Sequence, residues 1–207
     1  CAHAAACPQL GRSALDACER MNVGVNYLRE HVIPEARIHY AYLNAGGTAP
    51  NVVPAEAMLS YVIRAPKMGA MYEIADRVIK CAQGAAMMTE TEMSYKVVSG
   101  TSNLMSTKAV LDRFNANLDK YLPIPYTPEE LEYAQKFKDT LDKSDEKRLL
   151  HCIELTYPEK SSAEIRAMSE EPMASWYCPE VGNTASAEAG DAAWVVPGCQ
   201  LHVSCYP

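Results

Sequence analysis

The chain has 207 residues, 48% of them hydrophobic and 22% charged, with a net charge of −7. That length can bury one large core or two small ones, and the composition excludes a disordered or collagen-like polymer. Lys and Arg are scattered rather than clustered, so the electrostatic footprint of a phosphate-binding surface is missing and nucleic acid is not expected as a partner.

The longest apolar runs, such as Ala192 to Pro197, fall far short of the ~20 residues that cross a bilayer, and nothing at Cys1 resembles a signal peptide. No membrane role is expected. Eight cysteines are spread without the close pairing of a zinc knuckle, and a chain this long needs no disulfide framework, so a reducing cytoplasm is the expected location. The chain opens on Cys1-Ala2-His3 without a Met and stops at Tyr206-Pro207 just after an apolar stretch. Both ends read as cut from something longer.

In chain order, Leu15, Cys18, Met21, Val25, Leu28 and Val32 recur at spacings of three and four and predict an amphipathic helix, started near Ser13 and stopped by Pro34. Arg37 to Leu43 alternates, with Ile38, Tyr40 and Tyr42 on one face, as a half-buried strand requires. Asn44-Ala45-Gly46-Gly47 turns the chain, and Met58 to Arg64 predicts a second strand, antiparallel to the first, with Leu59, Tyr61 and Ile63 sharing a face. Met71, Ile74, Ala75, Val78, Ile79, Ala82 and Ala86 mark a second helix, and Thr91 to Val98 a further strand. Residues 11–99 should thus form two helices on one face of an antiparallel sheet. One more strand before His3 would complete a ferredoxin-like sandwich.

Beyond Gly100 the character changes. Thr107 to Leu122 reads as a helix, and Thr127-Pro128-Glu129-Glu130 is a helix start with a capping box, running to about Leu141. Asp139 to Arg148 is charge-rich, and Glu154 to Tyr177, without a clean period, should be loop or exposed insertion.

Four places could carry chemistry. His3, flanked by small residues at the mouth of a helix, can approach a ligand closely, although an ordinary loop histidine fits as well. Asn51 sits in a loop stiffened by Pro50 and Pro54 after two glycines, and its amide can donate and accept; a turn asparagine is the alternative. Arg64, on a largely apolar strand, offers bidentate recognition of a carboxylate or is a surface residue at a strand end. Glu188 and Asp191 flank a tight turn before an apolar stretch read as a buried strand, and serve either acid–base or metal chemistry or simply cap the turn. His202, among alternating apolar neighbours, reads as a packed strand residue. The five histidines, His3, His31, His39, His151 and His202, show no metal-ligand spacing.

Three segments together, AHAAACPQLGRSALDACERMNVGVNYLREHV from Ala2, NAGGTAPNVVPAEAMLSYVIRAP from Asn44 and GDAAWVVPGCQ from Gly190, resemble the aminoacylase and carboxypeptidase family of zinc amidohydrolases, in its aminobenzoyl-glutamate utilization branch. The resemblance covers about residues 2–120 and 183–206. It implies an α+β chain, with a ferredoxin-like lid and dimerisation domain at residues 1–99 and part of the α/β catalytic domain at residues 100–207. It further implies a homodimer formed through the lids and a small N-acyl amino acid substrate such as p-aminobenzoyl-glutamate. His3 then matches the histidine that polarises the scissile carbonyl in the partner subunit, Asn51 the loop residue on the substrate, and Arg64 the residue holding its carboxylate. Zinc or manganese belongs to the full-length enzyme. The family's ligands and general base lie upstream of the lid, with a last histidine beyond Pro207, so this chain is expected to bind no metal and to be inactive alone. The chain departs from the family's Ser-Thr-Asp with Ser186-Ala187-Glu188. The alternatives are a non-catalytic ferredoxin-like dimerisation or small-molecule-binding module, and a purely structural unit whose His3 and Arg64 touch nothing.

Overall fold

Ser13 fixes where the first helix begins, its Oγ accepting the Asp16 N–H at 3.1 Å and satisfying one of the free donors of the first turn. The computed structural model describes residues 1–121, 124–171 and 188–200, and the chain divides into two compact units, Cys1–Asn103 and Leu104–Pro207. Helix α1 spans Ala14–Leu28 and tightens into a 3₁₀ turn at Arg29–His31 before Pro34. Ahead of it lie a short strand, β1 (Ala2–His3), and a 3₁₀ turn at Pro8–Leu10.

The expected hairpin is present. Strands β2 (Arg37–Asn44) and β4 (Met58–Arg64) pair antiparallel, with Ile38 opposite Ile63, Tyr40 opposite Tyr61 and Tyr42 opposite Leu59. Between them β3 (Val52–Val53) pairs instead with β1, a second two-stranded sheet that the periodicity did not announce. Helix α2 (Met68–Thr89) packs beside α1, and the two helices cover one face of the hairpin. The core is Val25, Leu28, Ala36, Ile38, Ile74 and Val78, with Tyr61, Ile63 and Cys81 against it. Each buried Val, Ile or Leu contributes about 1.5–3 kcal/mol through area removed from water.

One polar group sits in that layer. Asn22 is 6% exposed, donates from Nδ2 to the Tyr42 hydroxyl at 3.2 Å and accepts at Oδ1 from the Tyr61 hydroxyl at 2.5 Å. Burial pushes the Tyr61 phenol well above its ordinary pKa, so it remains a donor.

Helix α2 ends where Glu90 takes a left-handed conformation (φ 54°) and the Thr91 N–H donates back to the Ala86 carbonyl at 3.0 Å, the bond of a Schellman turn. The strand expected over Thr91–Val98 does not form. Residues 91–100 have no regular structure, and Val97 and Val98 are exposed. A strand persists only where its N–H and C=O groups meet a partner ladder, and no described strand pairs with this segment. The α+β class therefore holds, while a four-stranded ferredoxin-like sheet is not found among the described residues.

In the second unit three of the helices begin with capping boxes. Helix α3 (Lys108–Leu118) begins after Thr107, whose N–H and Oγ1 both bond Gly198. Helix α4 (Pro128–Lys138) has the capping box of Thr127 and Glu130. Two further helices, α5 (Lys143–Thr156) and α6 (Ser162–Glu170), occupy ground read from the sequence as charged or irregular. Each has its own capping box, Asp142 with Asp145 and Ser161 with Glu164, which makes short polar helices viable where apolar periodicity is weak. The N–H groups of Asp145 and Ser144 hold the Asp142 carboxyl below its ordinary range. The buried strand expected after Gly190 is absent as well. Helix α7 (Glu188–Ala193) ends in a turn, with the Val195 and Val196 N–H groups on the Ala192 carbonyl and Val195 81% exposed. Ser186, Ala187 and His202 lie outside the described residues. Among the described residues no helix is long and apolar enough to cross a membrane.

Replacing Asn22 by Ala strands the Tyr61 and Tyr42 hydroxyls and leaves a small void, so Asn22→Ala should lower unfolding free energy by about 1–3 kcal/mol. Urea denaturation followed by circular dichroism measures it, and an unchanged midpoint contradicts the bridging role.

Candidate functional site

The β1–β3 ribbon decides where His3 and Asn51 stand. Ala2 pairs with Val53 and His3 with Val52, and the Ala4 N–H donates to the Asn51 carbonyl at 2.9 Å. Two residues 48 positions apart in sequence are therefore neighbours at one end of a short ribbon. Small residues make the approach possible. A Cβ on Gly11 would come within 2.9 Å of Val53 Cγ1 and 3.0 Å of Ala2 Cβ. The Ala14 N–H, otherwise unpaired at the start of α1, donates to the Pro54 carbonyl at 2.9 Å and ties the ribbon to the helix.

The loop carrying Asn51 is set by its glycines. Asn44 Oδ1 accepts the Gly46 N–H at 2.8 Å, and Gly46 and Gly47 take φ of 89° and 99°, open to glycine at little cost. At Gly46 the restriction is double, because a Cβ there would lie 2.2 Å from Pro54 Cβ.

His3 is held by its own turn. Its Nδ1 accepts the N–H groups of Ala5 and Ala6, both at 3.2 Å, and its carbonyl accepts the Cys7 N–H at 3.1 Å. A neutral imidazole whose Nδ1 accepts carries its proton on Nε2, so the exposed edge of the ring is a hydrogen-bond donor. The Asn51 side chain is exposed and makes no hydrogen bond among the described residues.

Arg64 stands apart. It closes the far end of β4, roughly 20 Å along the strand from Met58, where the Asn51 loop joins. The chain brings His3 and Asn51 together and leaves Arg64 elsewhere, exposed and opposite Arg37. A hollow of about 240 Å3 near the loop base is lined by Ala14, Asn44, Glu56, Met58 and Glu92 and includes none of the three. Glu188 and Asp191 lie on α7, in the other unit. Among the described residues no three His, Cys, Asp or Glu side chains gather as metal ligands, so a metal does not fit this set. Sequence reasoning missed the ribbon and the Nδ1 lock. The only signals were the Val52-Val53 pair between Asn51 and Pro54 and the small Ala4-Ala5-Ala6 run after His3.

One relative matches nearly the whole chain and two others match less than half of it. It is 37% identical over 209 aligned positions, 99% of its own length, to one of the subunits of the p-aminobenzoyl-glutamate hydrolase of Escherichia coli. It is 36% identical over 87 residues to the Xaa-Arg dipeptidase of Mus musculus and 30% over 94 residues to that of Homo sapiens, covering 42% and 45% of this chain. The chain is thus similar over nearly its whole length to an amidohydrolase subunit and over less than half of it to two dipeptidases. It spans 44% of the length of the Escherichia coli relative and 20% and 21% of the dipeptidases. No protein-family profile matches it. The amidohydrolase likeness expected from the three sequence segments is thereby met, independently of any one site residue.

Gly46→Ala forces a left-handed alanine onto Pro54 and should cost about 2 kcal/mol or more of stability. Thermal unfolding of the purified chain tests this, and a melting temperature equal to that of the parent contradicts the described loop.

Proposed function

We propose that this chain is the substrate-gripping lid, with an adjoining part of the catalytic domain, of a metal-dependent amidohydrolase that cleaves N-acyl amino acids such as p-aminobenzoyl-glutamate. The observation that carries the reading is the lock on His3, whose Nδ1 accepts two backbone N–H groups and leaves Nε2–H as the donor. A fixed N–H donor is what a carbonyl oxygen needs as it gains negative charge, and preorganised donors of this kind are worth roughly 2.7–4 kcal/mol of barrier. Asn51 binds the acyl or carboxylate end of the substrate, and Arg64 takes the carboxylate of the leaving amino acid. The name of the Escherichia coli relative supports the substrate class and, because that relative is named as a subunit, an assembly of more than one chain.

His3 serves the active site of the neighbouring subunit in a homodimer formed through residues 1–99, while Arg64 holds the substrate's carboxylate. Residues 100–207 belong to the catalytic domain. Zinc or manganese is held by residues of the full-length enzyme outside the described set. The scattered cysteines favour the cytoplasm. The chain by itself dimerises and is inactive.

Two outcomes follow for this chain and for the full-length enzyme. Chelator-washed 207-residue protein should retain no stoichiometric zinc by elemental analysis and release no aminobenzoate; one tightly held zinc per chain overturns the placement of the ligands. In the full-length enzyme His3→Ala should lower kcat about a hundredfold with a smaller change in KM, whereas Arg64→Ala should chiefly raise KM. Mixing His3→Ala subunits with subunits disabled at the metal site should restore part of the activity. No recovery, although subunits exchange, places His3 in its own subunit or outside catalysis, as a binding module without hydrolysis requires.

A further inference from the structure

Arg37 begins β2 and Arg64 ends β4, and the antiparallel register sets them directly opposite each other. They share the sheet face opposite Ile38 and Ile63, the face not covered by α1 and α2, with Cβ atoms about 4.5–5.5 Å apart. Both side chains are exposed. Arg37 Nη1 donates to the Pro34 carbonyl at 2.5 Å and the Ala36 carbonyl at 2.7 Å, which steadies the guanidinium and leaves Nε and Nη2 without a partner among the described residues. The Arg64 side chain makes no hydrogen bond or ion pair among the described residues. No described carboxylate lies within ion-pair distance of either arginine. The rest of that face, His39, Ala41, Ser60 and Val62, contributes no acid.

Like charges directly opposite on a hairpin destabilise it, and a chain with 26 Asp and Glu has no shortage of residues to neutralise the pair. An anion from outside the chain resolves the conflict. We propose that Arg37 and Arg64 form a two-arginine cradle for a dicarboxylate amino acid, Arg64 taking the α-carboxylate and Arg37 the side-chain carboxylate. The assignment rests on the reading of Arg64 given above and narrows the leaving group to an acidic amino acid. Each guanidinium presents a planar fork matched to one carboxylate, and the register puts the two arginines opposite each other on one face, as a ligand with two carboxylates requires.

The discriminating pair of substrates is p-aminobenzoyl-glutamate and p-aminobenzoyl-glutamine, which differ only in the side-chain charge. In the full-length enzyme, Arg37→Gln should reduce kcat/KM for the glutamate substrate about tenfold or more and for the glutamine substrate much less, collapsing the preference between them. Arg64→Gln should reduce both. Melting temperatures of the variants accompany the kinetics, so that a folding defect shows as a common loss on both substrates, and Arg37→Lys, which keeps the charge, should recover part of the preference. An unchanged preference ratio in Arg37→Gln overturns the cradle while leaving the role of Arg64 intact. If Arg64→Gln alters neither substrate, the carboxylate reading of that strand end falls and the cradle with it.

Discussion

The bond between one buried amide and two tyrosines governs the first unit. Asn22 lies on the inward side of α1, and an amide buried there without partners would cost several kcal/mol. Its two ends are complementary, so the oxygen takes the hydroxyl of Tyr61 on β4 and the nitrogen the hydroxyl of Tyr42 on β2. One helix position thereby gauges both strands at once. A slip of one residue in either strand would carry its tyrosine to the opposite face, and the amide would lose a partner in a low-dielectric layer. The register that sets Arg37 opposite Arg64, and that brings the loop base at Asn44 and Met58 to the start of α1, is held by this contact as well as by the apolar core.

How much of this was legible in the sequence depended on the length over which a pattern repeats. Residues 37–43 and 58–64 alternate over seven positions each, and the structure places strands at Arg37–Asn44 and Met58–Arg64. The two long helices of the first unit were equally plain, because their stripes extend over four or more turns. Asn22 was not legible, since a single polar residue beside an apolar stripe reads as surface until its partners are known. Helices α5 and α6 were hidden for the opposite reason. Their stability rests on capping boxes and a thin buried line, Ile153 and Ile165, rather than on a broad apolar face. The segment 91–98 has the alternation of a strand, yet alternation specifies only which face each side chain takes. It cannot supply the neighbouring ladder.

The site was half legible. Residue chemistry singled out His3, Asn51 and Arg64, and their relative placement came only with the fold, because a ribbon of two residues per strand is too short for any periodicity to register. That ribbon converts a distant pair in sequence into one local surface, and three local devices maintain it: Gly11 against Val53, the Ala14 N–H on Pro54, and the positive-φ turn at Gly46 and Gly47. None of these carries chemistry. Together they make the position of Asn51 relative to His3 a property of backbone geometry, which tolerates surface substitution far better than a site built from long side chains.

The same economy applies to the imidazole itself. A free histidine samples two tautomers and several ring orientations, and a reaction that needs one of them must select it at each turnover. Here the two N–H groups of Ala5 and Ala6 converge on Nδ1, so ring orientation and tautomer are set together by a turn that costs no distant residue. Both backbone bonds need the Nδ1 lone pair, so they belong to the neutral ring with Nε2–H outward. In the proposed reaction, charge develops on the carbonyl oxygen, and a neutral donor already aimed at it gains strength as the charge grows without reorganising. Arg64 obeys the opposite rule, since a carboxylate is charged before and after the reaction and its grip aids binding more than the chemical step. In that proposal transition-state stabilisation and substrate capture fall to different residues, His3 on the β1–β3 ribbon and Arg64 at the end of β4.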